Sequence, residues 1–281
     1  MTKSIYLAGG EVHLNGDQQC ENFIATQITN KETVESVFSG IELVFKEGRL
    51  AQAYDYEEGQ RKERSLATDE IGLPYREYEE NRILKVVEDE NGPHQIGGEV
   101  PQNFRPPENN CMVPFQYLGF IDHSDQNFAW LPFRLHLTFP IYLNTGNVFL
   151  DYANPDFPSI VNREEVEAAD TAYDDLNKES EIVFNAMKFS FAEAVEFAGI
   201  GHGGVPNWIQ YPGIPVCPKS GRRMRFLCQL NGGVSTNRSN VEAKDEWYAQ
   251  YYEELNFWGD GDLFVFFEPT SRIACYFIQN T

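Results

Sequence analysis

Along LPFRLHLTFPIYL, Leu131, Phe133, Leu135, Leu137 and Phe139 alternate with Pro132, Arg134, His136 and Thr138. A period of two puts these sets on opposite faces, so the spacing predicts a half-buried strand whose polar face carries His136. Pro140 has no amide hydrogen to give a ladder and predicts an edge or a bend. GDLFVFFEP is different, with Leu263, Val265 and Phe267 on one face and Phe264 and Phe266 on the other; RIACYFIQ is similar. Such strands must be covered on both sides. Nearer the N-terminus, GIELVF and LAQAYDYE flank a Lys46–Arg49 turn, which predicts a β-hairpin over Gly40–Glu57 with Gly48 supplying the positive φ. The mixed-charge run EEGQRKER after it reads as a solvated edge or loop.

Between the strand-rich stretches the period lengthens towards that of a helix. Asn162 reads as a cap, Glu164 and Glu165 as an acidic first turn, and Val166, Ala169, Tyr173 and Leu176 as an apolar face. Ser190 and Glu193 read as a capping box, with Phe191, Ala194, Val195 and Ala198 as the stripe and Gly199 as the stop. A third helix is expected over Val241–Leu255, capped by Asn240, with Trp247, Tyr248, Tyr251 and Leu255 facing the core.

One pattern occurs twice. HQIGGEVPQNF, CMVPFQYLGFID and GNVFLDYANP are answered by IGHGGVPNWIQ, MRFLCQLNGG and GDGDLFVFFEP. Phe115 to Gly146 is 31 positions and Phe226 to Gly261 is 35. The expected fold is α+β, mostly antiparallel β, internally duplicated with a pseudo-twofold arrangement. Residues 1–93 form a β-rich extension packed on the core, and 94–281 hold copy one (94–160), a helical connector (161–199) and copy two (200–281).

With 281 residues, 42% of them hydrophobic, the chain can fill a sizeable core. Its 43 acidic and 22 basic residues give a formal charge of -21, which disfavours nucleic acid and anionic membranes and suits a basic protein partner. No apolar run is long enough to cross a bilayer, and MTKSIYLAGGEVH lacks the core of a signal peptide, so a cytoplasmic location is expected. Cys20, Cys111, Cys217, Cys228 and Cys275 are odd in number and widely spaced, which reads as buried thiols. No paired Cys/His spacing, phosphate loop or dinucleotide fingerprint occurs, so neither metal nor cofactor is expected.

Three constellations invite chemistry. His202-Gly203-Gly204 is similar to an esterase oxyanion loop, but no Gly-x-Ser-x-Gly accompanies it, and His94 sits near the other glycine pair at a different offset. Cys217-Pro218-Lys219-Ser220-Gly221 is half a zinc knuckle, and Ser220 is no ligand at neutral pH. Asp260, Asp262 and Glu268 bracket the last aromatic strand, where carboxylates can hold a cation or move protons, or simply shape a turn with Gly259 and Gly261. Trp208, Trp247 and Trp258 all fall in the second copy, as core or, if exposed, as a stacking platform.

HGGVPNWIQ, CPKSGRRMRFLCQL and FWGDGDLFVFFEP together resemble the bacterial YwqG-like domains of unknown function. Gly203, Gly204, Pro206, Trp208, Ile209, Gln210, Gln229, Trp258, Gly259, Asp260 and Gly261 carry the resemblance; Gly97, Gly98, Pro101 and Phe115 extend it loosely to copy one. Ser220 departs from relatives with a second cysteine there. The resemblance implies a duplicated β-rich fold in a bacterial cytoplasm, an immunity-type or partner-binding context, and no catalytic set. Two readings follow: a non-enzymatic acidic binding module centred on Trp208, Gln210, Gln229 and Trp258, or an enzyme using His202 with Asp260 or Asp262 in a cleft between the copies. The second requires that imidazole and one carboxylate to meet, directly or through one water. Oligomeric state is not fixed by the sequence.

Overall fold

A computed structural model of the chain describes residues 2–8, 39–46, 49–57, 60–64, 82–171, 173–210 and 213–280. Strands β1 (Thr2–Ala8), β2 (Ser39–Lys46), β3 (Arg49–Glu57) and β4 (Gln60–Arg64) form a four-stranded antiparallel sheet in chain order. β2 and β3 are the expected hairpin, in register from Ser39 opposite Glu57 to Lys46 opposite Arg49. Gly48 and Cys20 lie outside the described residues. The QRKER part of the charged run is strand β4, at the sheet's edge, where exposed charges discourage further pairing.

The second sheet has eleven strands. In chain order they are β5 (Ile83–Glu88), β6 (His94–Ile96), β7 (Gln116–Ile121), β8 (Leu135–Phe139), β9 (Val148–Asp151), β10 (Ser159–Ile160), β12 (Met187–Ala194), β13 (Gly201–Gly204), β14 (Arg225–Leu230), β16 (Asp262–Glu268) and β17 (Ile273–Gln279). Their spatial order is β10-β9-β17-β16-β14-β13-β5-β12-β6-β7-β8, with antiparallel pairings. β11 (Ile182–Phe184) and β15 (Thr236–Ser239) form a separate ribbon. Helix is confined, among the described residues, to α1 (Arg163–Glu167), α2 (Glu246–Glu253) and a 3-10 turn at Gln126–Phe128. The protein is therefore α+β and mostly antiparallel β.

β5 lies between β12 and β13, so the large sheet takes in a strand starting at Ile83, within the stretch 1–93 read as an extension packed on the core. Leu84 and Val86 bury one face of β5, which ties it to the core rather than to the N-terminal sheet. Strands β6, β7 and β8 lie on one side of the β5–β12 pair, and β13, β14 and β16 on the other. The aromatic strand of the first copy, β9, pairs with β17 and not with β7, whose neighbour is β8. In the second copy the corresponding strand, β16, does pair with β14.

β16 and β17 are buried on both faces, as their sequence requires. Leu263, Val265, Phe267, Ala274 and Tyr276 join one apolar cluster; Phe264, Phe266, Ile273, Cys275 and Phe277 join another, with Trp208, Cys217 and Phe226. Each fully buried Phe or Leu contributes about 1.5–3 kcal/mol of transfer free energy. Cys111, Cys217, Cys228 and Cys275 are all buried free thiols.

Four local expectations are corrected. Ser190–Ala198 is not a helix: Phe189 and Phe191 alternate with polar neighbours in β12, paired to β5 and β6, and Ser190 donates to Asp89 (2.6 Å) instead of capping. Val195 is 98% exposed, so no apolar stripe exists. The Asn162 helix is the five-residue α1, because the Asn162 side chain accepts from the Phe149 amide (3.0 Å) and stitches α1 to β9. The third helix starts later than expected, at Glu246, capped by Asp245; Tyr252 and Leu255 are buried while Trp247 is 64% exposed. On β8, His136 faces no solvent: Phe104 packs on its ring (centroids 4.7 Å apart) and the Tyr117 hydroxyl reaches its Nδ1 (2.9 Å). β8 is nonetheless an edge strand and ends before Pro140.

The Gly-Gly turns follow from close backbone approach. Gly204 has φ +81° and Gly97 φ +68°; a Cβ on either would overlap a carbonyl oxygen, of Arg82 and of Asn185 respectively. Gly204→Ala should cost at least about 2 kcal/mol by urea denaturation. Gly146→Ala, where a Cβ meets only the Glu165 carboxylate at 3.9 Å, should stay within about 0.5 kcal/mol. Equal effects would show that the Gly204 backbone has room to relax.

Candidate functional site

The VPNWIQ turn of the second copy is clamped to the sheet by two buried amides. Gln229 on β14 accepts from the Asn207 amide (2.9 Å) and donates to the Asn207 carbonyl (3.0 Å), which satisfies that residue's backbone as a neighbouring strand would. Gln279 on β17 accepts from the amides of Ile209 (3.1 Å) and Gln210 (3.3 Å), and the Gln210 side chain donates to the Asn280 carbonyl (2.9 Å). Trp208, held between, stacks on Phe264 with centroids 5.2 Å apart and planes 7° apart. It is 1% exposed and cannot act as a binding platform. Trp208, Gln210 and Gln229, expected as binding residues, therefore fasten the turn.

His202 and Asp262 belong to the same layer. His202 on β13 is opposite Gln229 in register, and the Gln229 amide donates to the Asp262 carboxylate (2.5 Å), so Gln229 stands between imidazole and carboxylate. His202 Nε2 makes no hydrogen bond within the protein, and its ring packs on Phe197 with centroids 4.6 Å apart. Burial lowers the His202 pKa to about 3 against a partial offset from Gln229, so it is neutral at physiological pH. Burial raises Asp262 to about 6, with the Gln229 hydrogen bond opposing. Asp260, two residues earlier, is exposed in the turn closed by the Gly261 amide on the Phe257 carbonyl (3.0 Å). Glu268 sits at the far end of β16, about 20 Å from Asp262 along the strand. Burial raises its pKa, but hydrogen bonds from Ser271 and Thr270 outweigh this and hold it low, as they fix the turn to β17. The three carboxylates do not share a site.

His94, His136 and the half knuckle are also absorbed by packing. His94 is fully buried among Phe128, Phe189 and Phe191; its Nδ1 accepts from the Asp122 amide (3.0 Å), which leaves Nε2 to donate to Asp125 (3.0 Å). This His–Asp pair, which spacing does not reveal, locks the 3-10 turn capped by Asp125 onto β6. Burial lowers its pKa despite Asp125. Burial, aided by Arg134, takes His136 down to about 4. Cys217 Sγ lies 3.1 Å from Ser271 Oγ, and the Cys217 and Arg222 backbones close the 217–222 turn (2.7 Å).

One sequence candidate, Trp258, faces a cavity of about 230 Å³ that it lines with Tyr142, Asn144 and Tyr173. A left-handed Trp258 (φ +62°) followed by Gly259 (φ +91°) turns the indole inward, where Nε1 donates to the Ile141 carbonyl (2.7 Å). Tyr142 stands edge-on to Tyr173 at 5.1 Å and 76°, and its hydroxyl donates to the Tyr251 carbonyl (3.2 Å). Tyr251 and Tyr248 of α2 extend the ring cluster from Tyr173, and Trp247 continues it from Tyr251 onto the exposed helix face. Burial pushes Tyr173 up to about 12, with Tyr251 and Tyr248 adding to the shift, so its phenol stays neutral. The connector is pinned beside this cluster by Lys244 Nζ on the Asp174 carbonyl (2.7 Å) and near Asp175 (3.6 Å). Tyr142 carried no distinguishing signal in the sequence and Tyr173 only that of an apolar helix face; only the meeting of the segment after β8, the connector and the Trp258 turn makes a wall of them. A second cavity, of about 110 Å³, lies by Phe115, Gln116 and Glu181. His202, Asp260 and Asp262 line neither.

Comparison with protein-family models, with curated proteins and with solved structures finds no match.

The titrations of the clamp have opposite signs. Asp262, raised above its ordinary 3.8, contributes stability that is present at acid pH and lost as pH rises through about 6. His202, lowered from 6.5, contributes stability present above 6.5 and lost as pH falls toward 3. Asp262→Asn removes only the first contribution, so its stability relative to wild type should rise steadily from pH 4 to pH 7 in denaturation curves. A flat difference would mean that Asp262 titrates as a solvated carboxylate.

Proposed function

We propose that this chain is a non-enzymatic, immunity-type binding module that engages a basic protein, and that it belongs with the YwqG-like bacterial domains. One observation carries the reading. The imidazole and carboxylate best suited to chemistry, His202 and Asp262, are built into the clamp beneath the VPNWIQ turn, whereas α2 presents two exposed rings, Trp247 and Tyr248, to solvent. An exposed Trp247, a partly exposed Tyr248 and a formal charge of -21 supply what a contact with a basic surface uses: aromatic anchors and long-range attraction. A cytoplasmic setting is consistent with this reading and is part of the proposal. So is internal duplication, supported by the placement of the antiparallel pairs β6-β7 and β13-β14 on opposite sides of the β5–β12 pair, while β9, the counterpart of β16, joins β17 instead of β7.

An enzymatic alternative draws on the His202 Nε2 without a hydrogen-bond partner and the raised Asp262 carboxyl. It needs substrate and water to reach the layer under Trp208, so turnover abolished by His202→Gln at unchanged stability would favour it.

Affinity capture from native cells with mass spectrometry should enrich a basic protein at low salt and release it as salt is raised. Trp247→Ala, at an exposed position, should weaken capture while leaving the melting temperature unchanged. No enrichment over a control at low salt, or capture indifferent to both salt and Trp247, would refute the binding reading.

A further inference from the structure

We infer that the cavity formed by Tyr142, Asn144, Tyr173 and Trp258 binds an alkylammonium group by cation–π contact. The inference rests on the binding reading above and names the chemistry that this part of the surface recognises. Of the described residues that line it, three are aromatic and the fourth, Asn144, is uncharged. Two of the rings have their polar ends engaged by the protein: Trp258 Nε1 on the Ile141 carbonyl and the Tyr142 hydroxyl on the Tyr251 carbonyl. Ring faces and edges are what these two residues have left to offer a ligand.

The ring geometry separates ligand classes. A flat aromatic guest needs parallel walls, and the touching pair Tyr142 and Tyr173, at 76°, offers none. A sugar needs several directed hydrogen bonds beside its stacking face, and among the described lining residues Asn144 is the one side-chain amide. Rings set at right angles suit a compact, rounded cation, which gains from each π face it touches. The volume of about 230 Å³ exceeds the roughly 150 Å³ known to admit benzene in an apolar cavity, so a trimethylammonium-sized group fits. Charge favours the same guest through the long-range field of a chain carrying -21 overall; the carboxylate nearest the ring cluster, Asp175, is paired with Lys244 (3.6 Å) and adds nothing local. The phenol of Tyr173 stays neutral, so its ring keeps its character across the physiological range.

The test uses the whole chain and two cationic probes: choline, for a free small molecule, and a short peptide bearing trimethyllysine, for a side chain of a partner. Each is compared with its neutral tert-butyl counterpart by calorimetry and by the shift of the Trp258 indole N–H resonance, assigned with Trp258→Leu. At least one cation should bind roughly tenfold or more tightly than its neutral counterpart and move that resonance. Stronger binding of choline would identify a soluble ligand, and stronger binding of the peptide a lysine presented by a protein. Trp258→Leu should lose the preference; should it melt early, the comparison on the wild-type chain decides alone. Equal affinity for cation and neutral counterpart, or no binding of either cation, overturns the inference. Partner capture does not depend on these probes and the titrations need no partner, so each proposal can fail separately.

Discussion

Two adjacent strands without a polar face set the terms for everything around them. β16 and β17 place aromatic and aliphatic side chains alternately up and down, and hydrogen-bonded strands with both faces apolar are stable only when each face is sealed. One seal is made by Trp208, Ile214 and Cys217, with Trp208 laid over Phe264 and Phe266. Sealing with a loop leaves backbone amides beneath the surface, and these must find partners. Gln229 and Gln279 provide them from the strands themselves, so the polar residues under the turn answer a need created by the apolar ones.

The same constraint decides where chemistry is excluded and where recognition is offered. His202 and Asp262 lie in the layer that the first seal covers, with Gln229 between them; desolvation keeps the imidazole neutral and draws the carboxyl toward neutrality. The second face is sealed by the first half of the chain and by the connector, whose fit is less complete at one margin. There Tyr142, Tyr173 and Trp258 meet around open volume instead of around another side chain. Trp258 is placed by a left-handed backbone and an indole hydrogen bond to the Ile141 carbonyl, packed against the core at the cavity's wall.

Much of the architecture was legible because it is governed by neighbours in sequence. The alternation in GDLFVFFEP and RIACYFIQ dictates two-sided burial, GIELVF and LAQAYDYE dictate a hairpin, and the Gly-Gly pairs dictate turns that no Cβ fits. Ser190–Ala198 misled because a capping box and an apolar helical spacing coexist with Phe189–Phe191 alternation. Pairing with β5 and β6 on either side outweighs a local cap worth about 1 kcal/mol. His136 misled because Phe104, thirty-two positions upstream, covers a face that alternation alone marks as wet.

What the sequence by itself determined is the strand grammar: period, two-sidedness, turn chemistry and a strongly acidic balance, all properties of residues within a few positions or of the whole composition. Only the tertiary structure decided which polar and aromatic groups remain available. Gln229 and Trp208 became fasteners, His94 was paired with Asp125, and Trp258 was left facing a cavity with Tyr142 and Tyr173. Availability depends on which distant segment arrives to cover a group, and burial, unlike alternation, is a relation between segments that the order of residues along one of them does not contain.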